Sequence, residues 1–168
     1  MISLAVLNTI RAKFSQPGFL VGLFFGLALI SGPGWMRSLP HHMVLTSDAL
    51  AYWSAAHWLI HGAHTMPDQL LLNTNLFRAW PYVIFLSGFQ ALSLPEEPAL
   101  LLVRYAQTIM YALNIALMVL LACRISKNAI TGVLAGIFGL FYLPLLFHTD
   151  WILTETLSVT LTLLAWLS

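Results

Sequence analysis

The chain has 168 residues, of which 60% are hydrophobic and only 8% charged, and its mean hydropathy is +0.85. A water-soluble surface is hard to assemble from that composition, so the chain reads as an integral membrane protein. The formal net charge of +1 and the lack of any Lys/Arg-rich run exclude a nucleic-acid partner, and the single cysteine, Cys123, excludes an intramolecular disulfide and the paired spacing of a zinc or redox site.

The first apolar element lies between Lys13 and Arg37, where no residue is charged. At ~1.5 Å per residue it is long enough to cross a hydrocarbon core of ~30 Å. Arg11 and Lys13 precede it as a cytoplasmic flank would. A cleavable signal peptide is the rival reading, but "SGPGW" lacks a small-x-small cleavage site, so an uncleaved span over about 17–36 is expected. "GLFFG" within it, like "GVLAG" later, reads as a small-xxx-small packing face.

Next comes "TSDALAYWSAAHWLIHG", Thr46 to Gly62, with the look of an amphipathic helix. Thr46 or Ser47 can cap it, Gly62 can end it, and Asp48 falls in the first turn, where the helix dipole favours a negative charge. At 3.6 residues per turn Asp48, Tyr52, Ala55 and Leu59 share one face, beside Ala51 and Gly62. Small residues around one acid allow another element or a ligand to approach the carboxylate closely. His57, His61 and His64 lie opposite, at spacings of four and three. They offer either imidazoles at the water or headgroup interface or three ligands to a zinc ion, for which no fourth ligand is evident.

"PYVIFLSGFQALSL", Pro81 to Leu94, is short for a span and flanked by prolines, which suits an interfacial or re-entrant helix. "YAQTIMYALNIALMVLLAC" comes after Arg104 and reads as a span over about 104–123. After "RISK", "AITGVLAGIFGLFYLPLLF" reads as a span over about 129–147. "WILTETLSVTLTLLAWLS" reads as a last one over about 151–168, carrying Glu155.

Charge orients these elements. If Pro81 to Leu94 crossed the bilayer, Arg124 and Lys127 would lie outside, against the positive-inside rule. If it does not cross, Arg11/Lys13 and Arg124/Lys127 are all cytoplasmic and residues 37–103 form one long external loop. The expectation is therefore an all-α polytopic membrane protein with about four transmembrane helices and a long external first loop containing amphipathic juxtamembrane helices. That loop gathers Asp48, Asp68, Glu96, Glu97, Arg78 and five of the six histidines. His148, Asp150 and Glu155 fall on the same side, so any chemistry is external.

Glu155 carries a physical argument of its own. A carboxylate in so apolar a run costs several kcal/mol if it faces lipid, so it should face the protein interior or a wet cavity, or reach water at the external end. Asp150, nearer the boundary, reads as a solvated loop residue. Arg78 in "NLFRAWPY" and Arg104 in "LLVRYAQT" stand at the external edge. Each either binds an anion such as phosphate with its guanidinium fork or pairs with Glu96, Glu97 or Asp68.

Taken together, "SDALAYWSAAHWLIHG", "FRAWPYVIFLSG", "VRYAQTIMYALNIALMVLLACRISK" and "WILTETLSVTLTLLAWL" resemble the amino-terminal part of a GT-C superfamily glycosyltransferase. The similarity is nearest to the bacterial relatives of dolichyl-phosphate-mannose protein mannosyltransferases and covers nearly the whole chain. The resemblance implies that Asp48 is the first-loop acid acting as catalytic base or orienting the acceptor, that Tyr52 is the aromatic a turn later, and that Glu155 is the acid following the third span. Arg104 matches the arginine leading the second span. Arg78 and Pro81 correspond to an "RxPGYP"-like segment, although "RAWPY" lacks its glycine.

The same resemblance implies a glycosyltransferase that uses a polyprenyl-phosphate sugar donor at the external face of the plasma membrane, in bacteria the inner membrane. Catalytic roles fall to Asp48 and Glu155 and substrate binding to Tyr52, Arg78 and Arg104. No metal ligand is assigned; a divalent metal is conditional, since family members vary in using one. The acceptor is undefined, and the family's greater number of spans marks these residues as the amino-terminal part of a longer chain. Two other classes stay open: a small non-catalytic membrane assembly subunit, and a fragment of a transporter in which Glu155 serves a substrate or proton.

Overall fold

The computed structural model describes residues 12, 16–38, 47–62, 80–142, 144 and 154–168. Among these the chain is all-helical, with six α-helices and no strand. They are α1 (Pro17–Ser38), α2 (Ser47–His61), α3 (Trp80–Gln90), α4 (Glu96–Ser126), α5 (Ala129–Phe141) and α6 (Glu155–Leu167).

Local chemistry accounts for most of the boundaries. Pro17 opens α1, where its missing N–H would have had no partner. Gly62 comes after α2 with φ of 88° and donates its N–H to the Trp58 carbonyl at 2.8 Å, the glycine stop expected from the sequence. α4 ends on Lys127 in the left-handed conformation, and Asn128 then caps α5 by accepting from the Ile130 N–H at 2.9 Å.

Four spans were expected, and among the described residues one helix, α4, is long and apolar enough to cross a membrane. The apolar part of α1 (Pro17–Gly32), α5 and α6 are shorter. At ~1.5 Å per residue the 13 residues of α5 or of α6 reach only ~20 Å. The expected span over 104–123 lies inside a 31-residue helix that starts at Glu96. Glu96 and Glu97 are favourable in a first turn, and Pro98 is tolerated there, so the helix begins about two turns before Arg104.

α4 is the axis of the structure. α1, α5, α6 and α3 all pack on it, and α2 packs on α3. Gly32 of α1 lies beside Thr108, whereas Phe24 lies against Gly136 of α5; Gly132 meets Cys123 and Gly139 meets Ile115. These pairings make α1 and α5 antiparallel to α4. Asn114 meets Thr156 and Arg124 meets Leu167, so α6 runs parallel to it. The start of α1 and the α4–α5 turn therefore share one end of the bundle.

Two cores result. One joins α1, α4 and α5 through Leu20, Phe24, Tyr111, Ile115 and Val119. The other joins α2, α3 and the first turns of α4 through Ala49, Trp53, Ala56, Tyr82, Leu86 and Val103. "GVLAG" is a packing face, since a Cβ at Gly136 would stand 2.6 Å from the Phe24 ring. "GLFFG" is not one here, because nothing among the described residues comes within 4 Å of a Cβ at Gly22 or Gly26.

Candidate functional site

The site starts from the small face of α2. Ala49, Ala55 and Ala56 are buried, which lets α3 approach closely enough for the Tyr52 ring to meet Tyr82 edge-on, at 5.6 Å and 87°. Tyr82 stacks in turn on Phe85 at 5.7 Å. Asp48, one turn before Tyr52, is exposed in the first turn of α2.

The start of α6 closes on the same place. The Tyr52 hydroxyl is pushed above the ordinary tyrosine range, first by burial and then by the charges of Asp48 and Glu155, while a hydrogen bond with the Thr154 hydroxyl acts the other way. Tyr82 is pushed up more strongly, by burial, then by Glu155 and by Tyr52, and is opposed by its bond to Gln107. Two carboxylates far apart in the chain thus act on Tyr52, and one of them, Glu155, also acts on Tyr82.

α4 holds this cluster from beneath with two amides, one for each neighbouring helix. Gln107 donates Nε2 to the Tyr82 hydroxyl at 2.8 Å, and Asn114 donates Nδ2 to the Thr156 carbonyl at 3.1 Å. Both amide side chains are fully buried. Seven residues separate them, two helical turns, so they lie on the same side of α4.

The expected site residues are distributed unevenly. Asp48, Tyr52 and Glu155 come together. Glu155 is exposed at the first residue of α6 rather than sunk in the helix interior, which is how a carboxylate in that apolar run avoids a desolvation cost. Arg104 is buried about two turns into α4, its carbonyl accepting from the Thr108 hydroxyl at 2.9 Å. Arg78, His64, Asp68 and Asp150 lie outside the described residues. His57 and His61 do stand one above the other, with ring centroids 4.4 Å apart. Among the described residues no group of three or more His, Cys, Asp and Glu comes together to hold a metal.

Tyr82, Thr154, Gln107 and Asn114 are members that the sequence reading did not single out. For the two amides a signal existed: polar side chains seven apart inside an otherwise apolar helix must face protein. Tyr82 and Thr154 carry no such mark. Chemically, the cluster presents two exposed carboxylates able to accept protons or hydroxyl hydrogen bonds, beside two phenols that burial keeps as donors. No protein-family model matches the chain, and neither a curated protein nor a solved structure matches it.

Proposed function

We propose that the chain forms the carboxylate side of a glycosyl-transfer site at the external face of a membrane, with a polyprenyl-phosphate sugar as donor. The observation that carries the reading is the joint action of Asp48 and Glu155 on Tyr52, which joins the first turn of α2 to the first turn of α6. The acceptor hydroxyl oxygen attacks the anomeric carbon as the bond from that carbon to the lipid phosphate breaks. Asp48 takes the proton and Glu155 orients the acceptor; polyprenyl phosphate departs with the bond electrons. Tyr52 and Arg78 contact substrate, and Arg104 is the cation for the phosphate.

The reading places the protein in the bacterial plasma membrane as a multi-pass protein, with α1, α4, α5 and α6 as its spans. α4 supports it: 31 residues rise about 46 Å, roughly 15 Å more than the hydrocarbon core, so its first turns stand clear of lipid beside α2 and α3. A transporter remains the second reading, favoured by the buried Arg104, Gln107 and Asn114 on one apolar helix.

The test is transfer from radiolabelled polyprenyl-phosphate mannose in membranes carrying the full chain. Asp48→Asn should keep thermal stability within about 1 kcal/mol, since Asn serves a helix start nearly as well as Asp. It should lower transfer by about 10² to 10⁴. Glu155→Gln should insert normally and also lose transfer. Near-normal turnover of both variants would reduce the two carboxylates to helix-start residues.

A further inference from the structure

Charge is sorted along α4. Asp48, Glu96, Glu97 and Glu155 open α2, α4 and α6, toward the α2–α3 side of the bundle. Arg124 and Lys127 close α4 at the opposite end, both exposed, and no acid among the described residues stands with them. In the sequence Arg11 and Lys13 come shortly before Pro17, whose helix starts at that same end. The transfer reading uses none of these four cations.

Large apolar side chains stand exposed beside Arg124 and Lys127. Ile125 and Ile130 flank the α4–α5 turn at 72% and 66% exposed, and Trp166, one residue before the Leu167 that meets Arg124, is 72% exposed. α5 continues this surface along its length: Gly132, Gly136 and Gly139 are buried while Leu134, Phe138 and Phe141 are exposed. A helix in water buries its large apolar residues; small residues inside and large ones outside suit an apolar surrounding, where close backbone packing holds the helices together. An acidic soluble partner would match the two charges but would leave that apolar band uncovered. Cations at the edge of an apolar band, with a tryptophan at their level, match the headgroup layer of a bilayer.

We infer that the Arg124–Lys127 end binds the phosphate of an anionic phospholipid, of the phosphatidylglycerol type, in the leaflet it faces. One guanidinium nitrogen of Arg124 donates to the Leu167 carbonyl at 3.5 Å, which seats the side chain against the end of α6 and leaves further N–H groups for phosphate oxygens. Lys127, three residues on and in the left-handed conformation, adds a second charge. Two cations without a nearby acid select a lipid of net negative charge over a zwitterionic one, each contributing about fivefold in affinity. Ile125, Ile130 and Trp166 meet the glycerol and upper acyl region of the same lipid. The inference rests on the membrane placement proposed above and does not depend on glycosyl transfer.

Native mass spectrometry tests it on the full chain, purified in zwitterionic detergent and given equal amounts of dioleoylphosphatidylglycerol and dioleoylphosphatidylcholine. The wild type should retain phosphatidylglycerol in about twentyfold preference, Arg124→Gln and Lys127→Asn should each lower that preference about fivefold, and the double variant should retain the two lipids alike. Both positions are exposed, and Asn suits the φ of 53° at position 127, so folding is not at stake. Arg124→Lys keeps the charge and should keep most of the preference, which separates charge from the Leu167 bond. Equal retention by the wild type leaves the two cations to an acidic protein partner and overturns the headgroup site. A preference unchanged in the double variant puts the lipid elsewhere and overturns it too, as does loss of the preference to inorganic phosphate, which would mark a site for soluble anions. Each of these results leaves membrane placement and glycosyl transfer standing, whereas retention of neither lipid overturns the placement along with the site.

Discussion

Asn114 donates its side-chain amide to the Thr156 carbonyl at 3.1 Å, so the residue after Glu155 is tied to the middle of α4. The same carbonyl accepts from the Thr160 hydroxyl at 2.8 Å. Asn114 Oδ1, fully buried, has no partner. Only the donor half of this amide is in use, and the two obvious substitutions should therefore differ. Asn114→Leu gives up one hydrogen bond but also removes an unsatisfied acceptor, for a net cost of about 1 kcal/mol or less. Asn114→Asp keeps the shape, loses the donor and turns a buried carboxylate toward a carbonyl, which costs several kcal/mol or forces protonation. Thermal unfolding in detergent should rank wild type and Leu close together and Asp well below. An Asp variant as stable as wild type at neutral pH would mean that the amide does not dock α6.

The glycines of α1 and α5 should respond oppositely to the same change. Gly136→Ala sets a Cβ 2.6 Å from the Phe24 ring and must push α1 away or turn the ring, costing about 1–3 kcal/mol. Gly22→Ala meets nothing within 4 Å and should be neutral or gain up to about 1 kcal/mol from helix propensity. Melting curves of the two variants side by side check this. Equal stabilities would show that α1 is not seated on α5 through Phe24.

Topology is testable with thiols, though not with the native one. Cys123 is only 6% exposed, packed against Gly132, so its labelling would report burial rather than sidedness. In a Cys123→Ala background, Leu92→Cys in the α3–α4 turn should react with an impermeant maleimide in sealed right-side-out membranes. Thr131→Cys, exposed at the start of α5, should react only after permeabilisation. Thr131→Cys labelled in intact membranes would invert the orientation and remove the external site.

Alkaline pH should loosen the α2–α3–α6 cluster. Tyr52 and Tyr82 both hold their protons more tightly in the fold than the ordinary value of about 10. Between the unfolded and folded values the folded chain binds more protons than the unfolded one, so their contribution is fully present below about pH 10 and declines as pH rises through the folded values. Thermal midpoints measured from about pH 8 to about pH 11 should fall, and fall less in Tyr82→Phe, which removes the more strongly shifted group. The Phe variant should also start about 1 kcal/mol lower, having lost the Gln107 bond. An identical alkaline slope in both proteins would mean that Tyr82 titrates normally.

Much of this fold is local and was legible along the chain. The stop of α2 at Gly62 comes from what a glycine allows at positive φ, and the short α3 from the length of apolar run between two prolines. The start of α4 was misplaced because Arg104 was read as the flank of a span, although the apolar "PALLLV" before it carries the helix back to the first-turn charges Glu96 and Glu97. "GLFFG" and "GVLAG" are the same pattern, and only the position of Phe24 separates the one that packs from the one that does not.

For the site, the sequence alone determined that Asp48 and Tyr52 share a face, since a helical period requires it, and that a carboxylate as costly to bury as Glu155 must sit at a polar place. That these residues act on one phenol, with Tyr82 and Thr154 beside them, is a property of the tertiary structure. So is the burial of Arg104 among the helices. The reason is that periodicity fixes direction around one helix axis, but the rotation and depth of one helix against another depend on which side chains interlock. Here Gln107 meets Tyr82 across 25 residues of chain and Asn114 meets Thr156 across 42, and no local pattern encodes either pairing.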